Sequence, residues 1–447
     1  MKTVIFIILP FSSHYYVAFG TAHYLKKNGY RVIFTCKENQ MKLVEDEGFE
    51  FQKLLYFSEF KKLNLRTLVS LFLKTILDKS FVKNRYREFY DCVLELKSLY
   101  KNFNPDLIFI DHHLGEYAIF SQNYNSKITI LNTKLSCYQS IGIPPLGVGW
   151  VSKNRFFDKI RAEFNWFRLR LRHKQKSVLE WLAFAGKNDK AFFKRWAKKH
   201  GVVWDDFFEE NSSTYNIVKY VPKLIIYPKC IEYPFKKLFK DEFYIEIPFQ
   251  KNENSYFSES YNEVIELIKS KKKQDKNIKV VYCAFGTISG NVRKRADLLL
   301  TKVVDAINDL PNVILILVNN TMAESRIMAN ENVFIFEKVP QLHILKYTDL
   351  MITHGGLNSI SECIQANVPM LTFPLIKKVD HFGNSARVVA NGFGLKGDIE
   401  TDTVNVIRAK IQNLLSKKCF KNELQKRHTL NETNIDSFIN GLFLKNK

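Results

Sequence analysis

Cysteine, glycine, proline and acidic residues are all in short supply here, and each shortage removes a class of protein. Eighteen glycines and 12 prolines in 447 residues exclude a collagen-like or low-complexity chain. The seven cysteines (Cys36, Cys92, Cys137, Cys230, Cys283, Cys363 and Cys419) are scattered and odd in number. None forms a CxxC pair and no His-rich cluster accompanies them, so they read as reduced intracellular thiols, not a disulfide frame or a zinc site. No apolar run approaches the ~20 residues that span a bilayer. The N-terminal MKTVIFIILPF has one Lys and a short apolar stretch, but no A-x-A-like cleavage site follows it. It is expected to be a first buried strand rather than a signal peptide. Acid is scarce relative to base, 45 Asp and Glu against 67 Lys and Arg, leaving a formal charge of +22. That balance points to an anionic partner: nucleic acid, acidic lipid or phosphorylated substrate.

What is present is a globular composition, 46% hydrophobic and 14% aromatic, with enough length for two or three domains. The first third alternates strand and helix patterns. Strands are expected at 4–9, 31–35, 49–54, 106–110 and 128–131, and helices at 15–28, 38–47, 62–79, 85–102 and 115–123. Residues 150–215 break the rhythm as a helical, basic and aromatic stretch, before late strands at 224–227 and 243–247. The polar run 249–258 reads as a linker. The alternation then restarts, with strands at 278–284, 313–318, 332–336, 350–353 and 369–373. Helices are expected at 291–309, 357–366, 380–391 and from 401 onward. Strands alternating with helices argue for parallel sheets covered on both faces, with ligands at the carboxyl ends of the strands.

The segment THGGLNSISECIQANVPMLTFPLIKKVDHFGNS (353–385) carries the densest chemistry. A strand ends at Thr353, Gly355-Gly356 permits a tight turn and close backbone approach, and Asn358 and Ser359 open a helix. The first N–H groups of a helix lack internal partners and sit at the positive end of its dipole, which makes an anion seat. His354, Asn358 and Ser359 supply further donors, and Glu362, one turn on, is placed to accept from a sugar diol. The same residues also suit an N-cap and a tight turn with no ligand. Asp380, after the loop opened by Pro374, is suited to accept from sugar hydroxyls, or to serve as an ordinary helix N-cap. In CAFGTISG (283–290), Gly286 and Thr287 allow backbone and hydroxyl to approach a phosphate, as a plain turn also would.

Over residues 280–395, the order FGT, VPQ…IL, THGGLNS…E, VPM…P…D and GN…R resembles the donor-binding domain of the UDP-glycosyltransferase superfamily. These are inverting, metal-independent nucleotide-sugar glycosyltransferases. The resemblance implies an α/β chain of GT-B architecture, two doubly wound Rossmann-like domains facing an interdomain cleft. Residues 1–248 are then the acceptor-binding domain with a basic aromatic helical insertion near 150–215, and 249–258 the linker. Residues 259–447 become the donor-binding domain, its last helix packing back on the first. It further implies that His354, Gly356, Asn358, Ser359 and Thr287 hold the diphosphate. Val339, Gln341 and Glu362 hold the nucleoside, and Asp380 and His381 the donor sugar. His381 stands where the family has Gln, and Lys338 where many relatives have a Trp that stacks on uracil. UDP-hexose is the expected co-substrate, dTDP-hexose the second, with no cofactor and no metal.

Inverting transfer needs a base for the acceptor hydroxyl and stabilisation of the leaving diphosphate. His14, in the turn PFSSH after the first strand, matches the family's base, and Asp111 its orienting carboxylate. Ser13 stands where the family often has Gly, and His112 and His113 are rival imidazoles. PFSSH lacks GxGxxG, which argues against an NAD-dependent dehydrogenase.

From Ser152 to His200 there are 15 Lys and Arg against 4 Asp and Glu, interleaved with Phe and Trp. Basic aromatic helices suit an anionic membrane surface and an apolar small-molecule or lipid acceptor. They equally suit an insertion whose aromatics face the core. No nucleic-acid motif accompanies the charge. The expected location is cytoplasmic and peripheral on the inner face of the membrane. A nucleotide-sugar epimerase and a non-catalytic nucleotide-sugar-binding partner are the alternative functions.

Overall fold

The computed structural model describes residues 1–57, 65–121, 124–209, 217–245, 257–286, 291–319, 331–376, 379–427 and 434–444. The N-terminal unit begins with β1 (Thr3–Ile7), α1 (Ser12–Lys27), β2 (Arg31–Cys36), α2 (Glu38–Asp46) and β3 (Glu50–Lys53). Helices α3 (Leu65–Leu77) and α4 (Lys79–Phe103) follow, then β4 (Leu107–Asp111), a 3-10 helix (His112–Ser121) and β5 (Lys127–Asn132). Next come α5 (Phe156–Ala183), α6 (Asp189–Lys199), α7 (Trp204–Phe207), β6 (Phe208–Glu209), β7 (Ile217–Val218), β8 (Lys223–Ile225) and β9 (Glu242–Tyr244). Seven of these strands form one parallel sheet in the order β3-β2-β1-β4-β5-β8-β9, while β6 and β7 make a separate antiparallel pair.

The C-terminal unit runs α8 (Glu259–Gln274), β10 (Lys279–Ala284), α9 (Asn291–Asn308), β11 (Val313–Val318), β12 (Val333–Phe336) and α10 (Gln341–Ile344). It continues with β13 (Leu350–Thr353), α11 (Leu357–Gln365), β14 (Met370–Thr372), α12 (His381–Ala390) and β15 (Gly394–Lys396). Helices α13 (Val404–Ser416), α14 (Cys419–Arg427) and α15 (Ile435–Leu444) end the described chain. Its six strands are parallel, in the order β12-β11-β10-β13-β14-β15. The fold is α/β, two Rossmann-like parallel sheets of the GT-B kind.

Strands buried on both faces read as continuous apolar runs, and β1 is fully buried along its length. Phe6 stacks between Phe34 and Phe109, its partners on β2 and β4, at 4.8 and 4.7 Å. That aromatic row fixes the register that sets the end of β4 beside the turn after β1. In each sheet the strand order reverses once, between β1 and β4 and between β10 and β13. A crevice opens at the carboxyl ends there.

Several expectations need correction. The helix expected at 115–123 is a 3-10 turn that begins at His112 and kinks at Leu114, while 122–123 lie outside the described residues. Its start is early because the Asp111 carboxylate accepts the backbone N–H of His113 at 3.0 Å, which tightens the chain directly off the strand. The stretch 150–215 is not wholly helical, since it includes β6. Helix α8, capped by Ser258 Oγ accepting from the Tyr261 N–H, precedes the first strand expected for this unit. Residues 249–256 of the linker lie outside the described residues. The seven cysteines are free; Cys419 is exposed, Cys137 half-buried and the others buried.

Polar contacts cross between the two units at buried positions. Arg387 Nε on α12 donates to Glu232 Oε2 at 2.9 Å, and Asn391 Nδ2 donates to the carbonyls of Ile231 and Glu232. Lys236 Nζ and the Tyr244 hydroxyl donate to Glu232 Oε1 at 3.2 and 2.9 Å. Helix α15 reaches the first unit, with Phe438 4.9 Å from Phe243 and Lys2 Nζ 3.6 Å from the Phe443 ring. Burial alone would raise the Glu232 carboxyl, but Lys236 and Arg387 outweigh it and hold it at about 2. A carboxyl held below its ordinary value adds stability above its unfolded value of 4.5, lost as pH falls towards 2. Arg387→Ala, which leaves that carboxylate short of a buried partner, is expected to cost about 3–5 kcal/mol. Thermal unfolding at pH 7 measures the loss, and acid titration below pH 4.5 should show a shallower loss of stability in the variant than in the parent.

Candidate active site

The first half of the site sits at the switch point of the N-terminal sheet. His14 lies in the first turn of α1, directly after β1, and Asp111 is the last residue of the neighbouring β4. His14 Nδ1 is 2.6 Å from Asp111 Oδ2. The other carboxylate oxygen takes the His113 ring, Nδ1 at 3.1 Å, and the His113 backbone N–H. A carboxylate only accepts, so both Nδ1 atoms carry the proton and the lone pair of His14 rests on Nε2. Asp111 is fully buried, which alone would raise its carboxyl, but His14 and His113 together hold it well below the ordinary range.

His112 joins the same cluster, its Nδ1 3.5 Å from Asp111 Oδ1. Thr133 bridges the cluster, its Oγ1 3.2 Å from His14 Nδ1 and 3.3 Å from His112 Nδ1. Burial holds His112 well below and His113 below the usual imidazole value, so both are neutral near pH 7. His14, with 14% of its side chain exposed, opens towards solvent. Ligand atoms of His14, Asp111 and His113 all lie within 4.8 Å of one another, a grouping that could also hold a divalent metal. Beside it, a small cavity of about 30 Å³ is lined by His112, Ile130, Asn132, Tyr138, Val218 and Glu242.

The second half sits at the switch point of the C-terminal sheet. After β13 the chain turns through Gly355 (φ +85°), where an added Cβ would stand 2.7 Å from Ser385 Oγ. Gly356 is the N-cap of α11 and offers no side chain to its first N–H groups. A Cβ there would stand 2.6 Å from His354 Nε2. The His354 ring therefore folds over the helix start, edge-on to His381 with centroids 4.5 Å apart. Burial first, and the neighbouring His381 second, pull His354 down to about 3, so it is neutral. His354 Nδ1, His381 Nδ1 and Ser385 Oγ are buried with no hydrogen-bond partner among the described residues. Buried donors converging on a helix N-terminus fit an anion.

Further along α11, Gln341 Nε2 hydrogen-bonds Glu362 Oε2 and lies 3.4 Å from Ser359 Oγ, while the Tyr282 hydroxyl donates to Gln341 Oε1. Gln341, Ser359 and Glu362 thus gather in one place. Val339 is 6% exposed and packs into the core, so it can offer a ligand chiefly its backbone. Lys338 is exposed beside it. Asp380 stands at the N-cap position of α12 without making a side-chain cap bond. Its Oδ2 accepts from Asn384 Nδ2 at 3.2 Å; burial would raise the carboxyl, but Lys134, His381 and that hydrogen bond together keep it low. Thr287 lies outside the described residues.

Contacts between the halves involve residues that the sequence reading passed over. Tyr227 donates from its hydroxyl to Asn358 Oδ1 at 3.0 Å. Ser136 N–H donates to Glu232, in the same loop that carries Thr133 against His14 and Lys134 near Asp380. That loop follows the carboxyl end of β5, so the rule that ligands gather there was the signal available for it.

Residues 262–434 match the family model described as "UDP-glucoronosyl and UDP-glucosyl transferase". Over that C-terminal stretch the chain is similar to UDP-glycosyltransferases. It is 32% identical over 102 residues to an uncharacterized UDP-glucosyltransferase, YdhE of Bacillus subtilis, covering 23% of this chain and 25% of that one. Over 384 residues it is 23% identical to the NDP-glycosyltransferase YjiC of Bacillus licheniformis, 83% of this chain and 80% of that one. The matches to YdhE and to human UDP-glucuronosyltransferase 3A1 each span about a quarter of the relative's length. Among solved structures, the glycosyltransferase VinC in complex with DTDP superposes with a TM-score of 0.62 at 14% identity, over 99% of this chain and 98% of VinC, a likeness of fold.

Gly355→Ala forces a side chain into a left-handed turn and onto Ser385. It is expected to cost about 1–3 kcal/mol of stability and to weaken binding of a nucleoside diphosphate. Thermal unfolding with and without UDP reads both effects.

Proposed function

We propose that this chain is an inverting glycosyltransferase. It moves a hexose from a nucleotide sugar, UDP-linked first and dTDP-linked second, to a hydroxyl of an apolar small-molecule or lipid acceptor. The observation that carries the reading is the His14–Asp111 pair at one switch point, joined through Tyr227 and the 133–136 loop to the His354 turn at the other. The acceptor hydroxyl gives its proton to His14 Nε2 as its oxygen bonds the anomeric carbon. The bond from that carbon to the diphosphate oxygen breaks, with inversion. Asp111 fixes the tautomer and stabilises the imidazolium. Negative charge growing on the diphosphate meets the N-terminus of α11, His354, Asn358 and Ser359. Gln341 and Glu362 take the nucleoside, and Asp380 and His381 the sugar. The dTDP alternative draws support from the nucleotide named with VinC.

The apolar acceptor is suggested by the exposed aromatic and aliphatic side chains of α5 in the N-terminal unit. The reading places the enzyme in the cytoplasm, peripheral to the membrane. No described helix is long and apolar enough to cross one. The proton-sharing role of the His14, Asp111 and His113 cluster requires no metal. Transfer is therefore expected to persist in excess chelator, and abolition by EDTA with restoration by a divalent ion would contradict it.

His14→Ala is expected to lower transfer by about 10²–10⁴-fold and leave UDP affinity nearly intact. Transfer assays with UDP- and dTDP-hexoses and isothermal titration separate the two. Retained transfer removes His14 from the mechanism.

A further inference from the structure

The basic segment 152–200 divides in the structure. On α6, Phe192, Phe193 and Trp196 are buried in the core, so that half is an ordinary packed helix. Helix α5 is inverted. Its buried residues are Ala162, Trp166 and Ala183, whereas Phe156, Ile160, Phe164, Phe167, Leu171 and Val178 are exposed. Their spacings of three, four and seven residues place them on one stripe along the helix. Exposure reaches 71% at Phe156 and 57% at Phe164. Helix α3 packs beside α5 and exposes a second apolar face through Val69, Phe72, Leu73 and Ile76. Two neighbouring helices therefore present apolar faces to solvent, beyond the scattered single residues usual on a soluble surface.

We propose that the α3–α5 pair is a docking face for an anionic lipid bilayer. The charge on the two helices selects this occupant. They carry nine Lys and Arg against three Asp and Glu. On α5, Lys159 and Arg170 flank the stripe on one side and Arg161 and Arg168 on the other. Arg168 lies over the Phe164 ring at 5.7 Å, the arrangement of a side chain whose stem covers apolar surface while its head reaches for phosphate. Apolar residues entering the acyl boundary with cations at headgroup level describe a helix lying in the interface, not across it. A second copy of the chain would set one basic face against another. The proposal rests on the transferase reading only for its purpose, which is to bring the acceptor side of the cleft to a membrane-dissolved alcohol.

The test is co-sedimentation of the full chain with vesicles of phosphatidylcholine alone or mixed with phosphatidylglycerol, at low and high salt. Binding is expected only with phosphatidylglycerol and is expected to weaken as salt rises. The double substitution Phe156→Ser, Phe164→Ser should weaken binding by roughly tenfold or more, with an unchanged thermal midpoint because both side chains are exposed. No binding to phosphatidylglycerol vesicles, or binding undiminished in the variant, overturns the proposal. So does lipid-free dimerisation in light scattering that the same variant abolishes, which assigns the face to a second copy. UDP affinity is titrated on the same samples. Its absence alongside intact vesicle binding counts against the transferase reading and leaves the docking face standing.

Discussion

The buried ion pair between Arg387 and Glu232 is the constraint on which the site depends. Each sheet contributes one of the two candidate half-sites at its own switch point. Arg387 lies on α12, whose first turn holds Asp380 and His381. Glu232 accepts the backbone N–H of Ser136, in the loop that sets Thr133 against His14. One carboxylate therefore ties the helix that carries His381 on one sheet to the loop beside the His14 turn on the other. Burying a guanidinium and a carboxylate costs several kcal/mol per ion unless both are well paired. Here Lys236, Tyr244 and Ser136 satisfy the remaining positions on Glu232. Such an arrangement contributes fixed geometry more than net stability.

The same logic governs the His14–Asp111 pair. Asp111 is as buried as Glu232, and its charge is kept by imidazoles rather than by permanent cations. His113 occupies one oxygen and His14 the other. Burial keeps His113 neutral, and His14 is the more exposed of the two rings. At the other switch point a neutral His354 sits over the start of α11. A neutral ring there adds no fixed cation to the positive end of the helix.

Much of this was legible in the sequence, because strand–turn–helix order is local. The run VIFII followed by PFSSH locates β1 and the His14 turn, and LIFID followed by HH locates Asp111. THGGLNS marks the start of α11 through glycines that only a tight, crowded turn requires. What was hidden depends on contacts between residues far apart in the chain. Glu232 and Arg387 are 155 positions apart, and Tyr227 and Asn358 are 131 apart. The inverted amphipathicity of α5 was also hidden, since periodicity shows that a helix has an apolar stripe but not which way the stripe faces. Trp166 inward and Phe164 outward are indistinguishable until the neighbouring elements are placed.

The central claim is that the turn and helix start at 353–359 form a seat for a pyrimidine nucleoside diphosphate. Thermal unfolding in the presence of UDP, dTDP, GDP and NAD measures it most directly. A ligand at ~100 times its dissociation constant stabilises the folded chain by about 2.7 kcal/mol. The account predicts that UDP or dTDP raises the midpoint while GDP and NAD leave it unchanged. A midpoint unmoved by either pyrimidine nucleotide, or moved equally by all four ligands, would contradict it.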